Sequence, residues 1–92
     1  MPLMPTSDTA AEDNPKIAGT AAFSKFMAVL QLIADQDEPL TIAQLSALSG
    51  YPRPTVYRIL AALTAEGMVL ENPRTRHFEL GPRLINLASK SW

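Results

Sequence analysis

The sequence predicts a mainly α-helical domain carrying one small β-hairpin, and three observations lead there. Apolar residues recur at three-and-four spacing in successive stretches between residues 20 and 88. Proline, glycine and capping residues punctuate those stretches. After the third stretch the period changes to alternation on either side of Asn72-Pro73-Arg74-Thr75, which is turn chemistry.

The bulk properties suit a single small domain. The chain has 92 residues, too few for two cores, and its 47% hydrophobic and 18% charged content is that of a globular protein. It contains no cysteine, which excludes disulfides and zinc-thiolate sites, and one histidine, His77. No apolar run approaches membrane-spanning length and no secretory signal opens the chain, so a cytoplasmic location is expected. The net charge of −1 hides an asymmetry. Residues 1–19 set Lys16 against Asp8, Glu12 and Asp13, and residues 20–52 set Lys25 against Asp35, Asp37 and Glu38, each a balance of −2. Residues 53–92 set Arg53, Arg58, Arg74, Arg76, Arg83 and Lys90 against Glu66, Glu71 and Glu79, a balance of +3. A contact surface feels this local excess rather than the total.

Taken in order, residues 1–19 read as a disordered leader, being rich in proline, small polar residues and acids. From Thr20, the residues Phe23, Phe26, Met27, Leu30, Ile33 and Ala34 form one helical stripe, which the acidic "DQDEP" and Pro39 break. Thr41 and Gln44 make a capping box, with Leu40 and Leu45 as its hydrophobic staple. The short second helix is expected to bury Ile42, Leu45 and Leu48 and to stop at Gly50. Pro54 suits the first position of a third helix, with Arg53 at its cap or just outside. Val56, Ile59, Leu60 and Leu63 are its buried stripe, and Gly67 with Met68 closes it as a Schellman motif. A two-stranded hairpin follows, with Phe78 and Leu80 on one side and arginines at its tip. Gly81-Pro82 then opens a last helix, whose stripe is Leu84, Leu87 and Ala88 with Ile85 beside it.

The third helix carries the functional signal. With that stripe buried, a period of 3.6 residues turns Pro54, Arg58 and Ala61 outward and leaves Thr55 and Tyr57 on the shoulders. Ala61, Ala62 and Ala65 keep the face flat enough for close approach to a large surface. Two helices joined by a glycine-containing turn, the second with a polar outer face at its start, make a helix-turn-helix. In that motif the second helix enters the major groove. Arg58 is then set to donate two bonds to guanine, and Thr55 to touch a thymine methyl or a phosphate. Arg53, Arg74 and Arg76 are expected on phosphates, the last two from the wing that the hairpin would form. Glu66, Glu71, Glu79, Ser46 and Ser49 read as surface residues, and His77 as facing water.

Residues 20–88 resemble the N-terminal DNA-binding domain of IclR-family bacterial transcriptional regulators. The resemblance rests on "FMAVLQLIA", "LTIAQLSALSGYPRPTVYRILAALTAEGMV" and "FELGPRLINLA" in this order. It implies a winged helix-turn-helix with a three-helix core, a two-stranded wing and a C-terminal linker helix. The recognition helix would span about 53–66, the wing about 68–80, the domain 20–81 and the start of the linker helix 82–92. Thr55 and Arg58 take the family's DNA-contacting positions. Pro54 stands where the family has a small hydroxyl residue or alanine, and Tyr57 where histidine is frequent, which changes phosphate contact and base preference. The family also implies dimerisation through the first and last helices, to which Trp92 and exposed Phe23 would add, and binding to a palindromic operator in double-stranded DNA. Its effector-binding domain is absent from this chain, which is either a fragment or a short regulator.

A rival reading is a protein-interaction module that heterodimerises with a full-length regulator, leaving the outward arginines as spectators. An enzyme is excluded by the lack of any nucleophile with a base at a recognisable spacing. No cofactor, metal or membrane partner is expected, since a single histidine without cysteine or acidic companions is a poor ligand set.

Overall fold

The structure is a computed structural model that describes residues 19–90. The expected leader, apart from Gly19, and the terminal Trp92 lie outside the described residues. Four helices and a small antiparallel sheet follow in the order α1 (Thr20–Asp35), β1 (Leu40–Thr41), α2 (Ile42–Ser49), α3 (Arg53–Ala65), β2 (Val69–Glu71), β3 (His77–Leu80) and α4 (Pro82–Ser89).

The local signals act where the sequence puts them. Thr41 Oγ1 accepts the Gln44 N–H (3.2 Å) while Gln44 Oε1 accepts the Thr41 N–H (2.8 Å), so the capping box is complete. Gly50 ends α2 at φ 80, where a Cβ would crowd its own backbone. At the end of α3, the Met68 N–H donates to Leu63 O (2.9 Å) and the Gly67 N–H to Thr64 O (3.0 Å), the paired bonds of a Schellman motif. Arg53 proves to be the first residue of α3, with Pro52 as its cap and Val56 N–H bonded to Pro52 O (3.0 Å).

The core draws on every element except α4. Val29, Leu30 and Ile33 of α1 meet Leu45 of α2, then Val56, Ile59, Leu60 and Leu63 of α3, with Leu40, Val69 and Phe78 closing the sheet side. The stripe read for α3 is therefore buried in full. For α1 it is rotated: Val29 is wholly buried, whereas Phe23, Met27 and Ala34 are exposed. Phe23 and Met27 line a surface groove with Arg83 and Leu87 of α4. In α2 only Leu45 is buried, with Ile42 partly covered and Leu48 exposed, because two turns of helix present a single position to the core.

The sheet has three strands rather than two. β3 is central, pairing with β2 on one side and with β1 on the other through Leu40 opposite Phe78 and Thr41 opposite His77. Phe78 is buried as expected, but Leu80 is exposed and Arg76 lies before the strand, in the left-handed region at φ 62. Helix α4 buries none of its residues; Leu84 is partly covered, while Ile85, Leu87 and Ala88 face outward. Its attachment is nonetheless close. The Gly81 N–H donates to Met68 O (2.8 Å), and a Cβ at Gly81 would stand 2.3 Å from Gly67 O.

Candidate nucleic-acid interface

Four buried anchors fix which way α3 faces. Because Val56, Ile59, Leu60 and Leu63 all point into the core, Pro54, Arg58 and Ala61 point away from it, and all three are exposed. Tyr57 is also exposed and Thr55 half-buried, one on each shoulder as expected. The shoulders border different neighbours. On one side, Thr55 and Arg58 rim a concavity of about 370 Å³ against Ala22, Lys25 and Phe26 of α1. On the other, Tyr57, Ala61 and Thr64 border a cleft of about 340 Å³ with Glu71, Arg76 and Phe78 of the hairpin.

The approach of α2 to α3 is held by Ser46 and Ser49, two residues with the sequence pattern of plain helix surface. Ser46 Oγ donates to Tyr51 O (2.6 Å), and the Tyr51 N–H donates to Ser49 Oγ (3.1 Å). Two serine hydroxyls thus satisfy the backbone of the interhelical turn and set the angle at which α3 is presented. The spacing of serine alone carries no such signal, because both bonds depend on the turn that Gly50 makes.

The hairpin tip is likewise ordered. Asn72 Oδ1 accepts the N–H groups of Arg74 (2.9 Å) and Thr75 (3.3 Å), and the Arg76 N–H donates to Asn72 O (2.7 Å). This arrangement leaves Arg74 exposed at the tip. Arg76 has a different fate: its Nε donates to the Glu71 carboxylate across the hairpin. His77 is half-buried in β3, with Nδ1 3.0 Å from Thr75 O, rather than facing water.

Charge pairing sorts the cations. Arg76 is paired with Glu71 and Arg83 with Glu66 (2.6 Å). Among the described residues no carboxylate pairs with Arg53, Arg58, Arg74 or Lys25. Residues 19–34 and 39–65 contain no acid at all. The start of α3 and the α1 surface beside it therefore form an uncompensated positive face, which favours a polyanion.

The IclR helix-turn-helix domain model matches residues 22–73, more than half of the chain. The chain belongs to the IclR family. Solved structures agree with that assignment. An IclR transcriptional regulator from Alicyclobacillus acidocaldarius is 26% identical, with a TM-score of 0.73 over 77% of this chain and 29% of that one. IclR from Thermotoga maritima (17% identity, TM-score 0.71, 77% and 28% covered) and the repressor BlcR from Agobacterium tumefaciens (21%, 0.69, 78% and 28%) share the fold. No curated protein matches the sequence. This IclR chain thus spans under a third of the length of these solved relatives. Its fold is the winged helix of IclR regulators, and its family role is DNA binding in transcription regulation. No helix among the described residues is long and apolar enough to cross a membrane.

Proposed function

We propose that this IclR domain binds a double-stranded DNA operator with α3 in the major groove and the β2–β3 wing on the flanking backbone, so regulating bacterial transcription from the cytoplasm. Arg58 reads a guanine edge, Thr55 a thymine methyl or a neighbouring phosphate, and Tyr57 a base on the wing side. Arg53 and Arg74 take phosphates, the N-terminal amides of α3 help to hold one, and Pro54 allows close approach without donating. Arg76 contributes from beside the groove. The observation that carries this reading is Arg58 itself: exposed, unpaired and centred on the outer face of a helix whose other side is fully anchored.

A gel-shift titration tests it. Arg58→Ala should cost about 1–3 kcal/mol on the operator found by footprinting, and should relax selection at one base position. Unchanged affinity for that operator would remove the assignment.

A second observation supports a homodimer. Phe23, Phe26, Met27 and Leu30 of α1 line a groove of about 590 Å³ with Met68 and with Leu87 of α4. Phe23, Ile85 and Leu87 are each more than half exposed. Two copies joined there would present two recognition helices to half-sites about one helical turn apart. The alternative, heterodimerisation with a full-length regulator, uses the same groove. It is distinguished by a sedimentation experiment on the isolated chain, in which a homodimer dissociates on Phe23→Glu.

A further inference from the structure

We propose that Lys25, seated on the ring of Tyr51, is a phosphodiester clamp that carries the DNA contact from α3 onto α1. The proposal rests on the DNA-binding reading and adds a contact that neither the helix-turn-helix motif nor the wing supplies.

Lys25 stands on the second turn of α1, within a segment whose overall charge is negative, and nothing in its sequence context singles it out. The fold changes its surroundings. The Lys25 Nζ lies 5.8 Å from the centroid of the Tyr51 ring, within cation–π range. Tyr51 is a fixed platform: Ser46 and Ser49 hold its backbone, and its side chain packs against the core. A free surface lysine loses rotamer freedom when it binds. One resting on a fixed ring has lost part of it beforehand.

The concavity beside it is suited to an oxyanion. Lys25 closes it on the α1 side, while Thr55 and Arg58 close it on the α3 side; its remaining lining is Ala22, Phe26 and Ile59. It holds two cations and a hydroxyl, with no carboxylate among the lining residues. The wing lies on the opposite shoulder of α3, beyond Tyr57 and Ala61. With α3 along a groove about 12 Å wide, the two shoulders face the two sugar–phosphate strands that form its walls. The wing serves one wall. Lys25 serves the other, with Thr55 and Arg58 on the far rim of the same depression. A phosphodiester, with charge on two oxygens and no bulk beyond the strand, fits such a depression better than a carboxylate-bearing side chain from a protein surface.

The test uses the full chain and a mixed-sequence duplex, so that no operator has to be known. Affinity is followed by fluorescence anisotropy across a salt series for wild type, Lys25→Ala and Tyr51→Leu. Alanine is the best helix former, so the exposed Lys25→Ala change leaves α1 intact, and a thermal melt verifies it. Lys25→Ala should weaken binding about two- to five-fold, and should reduce the slope of log K against log salt by about 0.9, one phosphate contact fewer. Tyr51→Leu should weaken binding less and leave the slope as in wild type, since the charge remains but its platform is gone. Wild-type slope and affinity in Lys25→Ala overturn the clamp, provided the wild type binds. Failure of the wild type to bind any duplex overturns the DNA-binding reading instead. A parallel titration with inorganic phosphate separates the sources. Lys25-dependent thermal stabilisation by phosphate, with no change in duplex slope, would assign the depression to a small anion and reject the strand contact.

Discussion

Arg76 reaches back across the wing to Glu71, while Arg74, two residues earlier, has no carboxylate partner among the described residues. The two wing arginines are therefore not equivalent. A phosphate approaching Arg74 meets a free cation; one approaching Arg76 meets a guanidinium already shared with an acid. Arg74→Ala is expected to weaken all duplexes to a similar extent, with a fall of about 0.9 in the salt slope. Arg76→Ala should change the slope by clearly less. Anisotropy titrations of the two variants in parallel provide the comparison, and equal slopes would show that Glu71 yields Arg76 without cost.

Ser46 and Tyr51 supply a second expectation. Replacing Ser46 by alanine removes the 2.6 Å bond to Tyr51 O and lets the turn between α2 and α3 relax. Denaturant unfolding should show a loss of about 1 kcal/mol. Because the same turn orients α3, operator affinity should drop even though Ser46 faces no DNA in the proposed complex.

Leu60 and Leu48 separate the packing that occurs from the packing that the sequence suggested. Leu60 is 1% exposed and Leu48 53% exposed. Leu60→Ala should destabilise the domain by about 2–5 kcal/mol, whereas Leu48→Ala should cost well under about 1 kcal/mol. Melts of both variants decide the point, and a large loss at Leu48 would mean that a partner or a further layer covers α2.

Gly81 carries a further sharp expectation. A methyl group there meets the Gly67 carbonyl oxygen at 2.3 Å and Met68 C and Val69 N at 2.9 Å, and all three are backbone atoms, so none can swing aside. Gly81→Ala should lower stability by about 1–3 kcal/mol, readable as a lower melting temperature.

These contrasts also mark what could be read from the chain alone. Signals confined to a few neighbouring residues were legible: Thr41 with Gln44, Gly50, Gly67 with Met68, and the Val56–Leu63 stripe. Each depends on backbone geometry or period within one or two turns. The outward placement of Arg58 followed from that stripe and is part of the same success. What escaped was nonlocal. The pairing of Leu40 and Thr41 with β3 depends on a strand more than 30 residues away, and a two-residue strand has no alternation to display. Lys25 acquires its neighbours only when α1 crosses α3. Glu71, read as a surface acid, faces Arg76 only because the hairpin closes. For α1 the stripe was found but its centre was misplaced, since Phe23 and Met27 are as apolar as Val29 and only the tertiary fold chooses between them.

The junction of Gly67 with Gly81 has a mechanical consequence. There α4 leaves the domain at the point where α3 ends, with backbone against backbone and Arg83 tied to both the carbonyl and the carboxylate of Glu66. Such a joint has little slack. The helix that buries none of its own residues is therefore coupled most directly to the end of the helix whose apolar stripe is wholly buried, and a displacement of α4 would be felt there first.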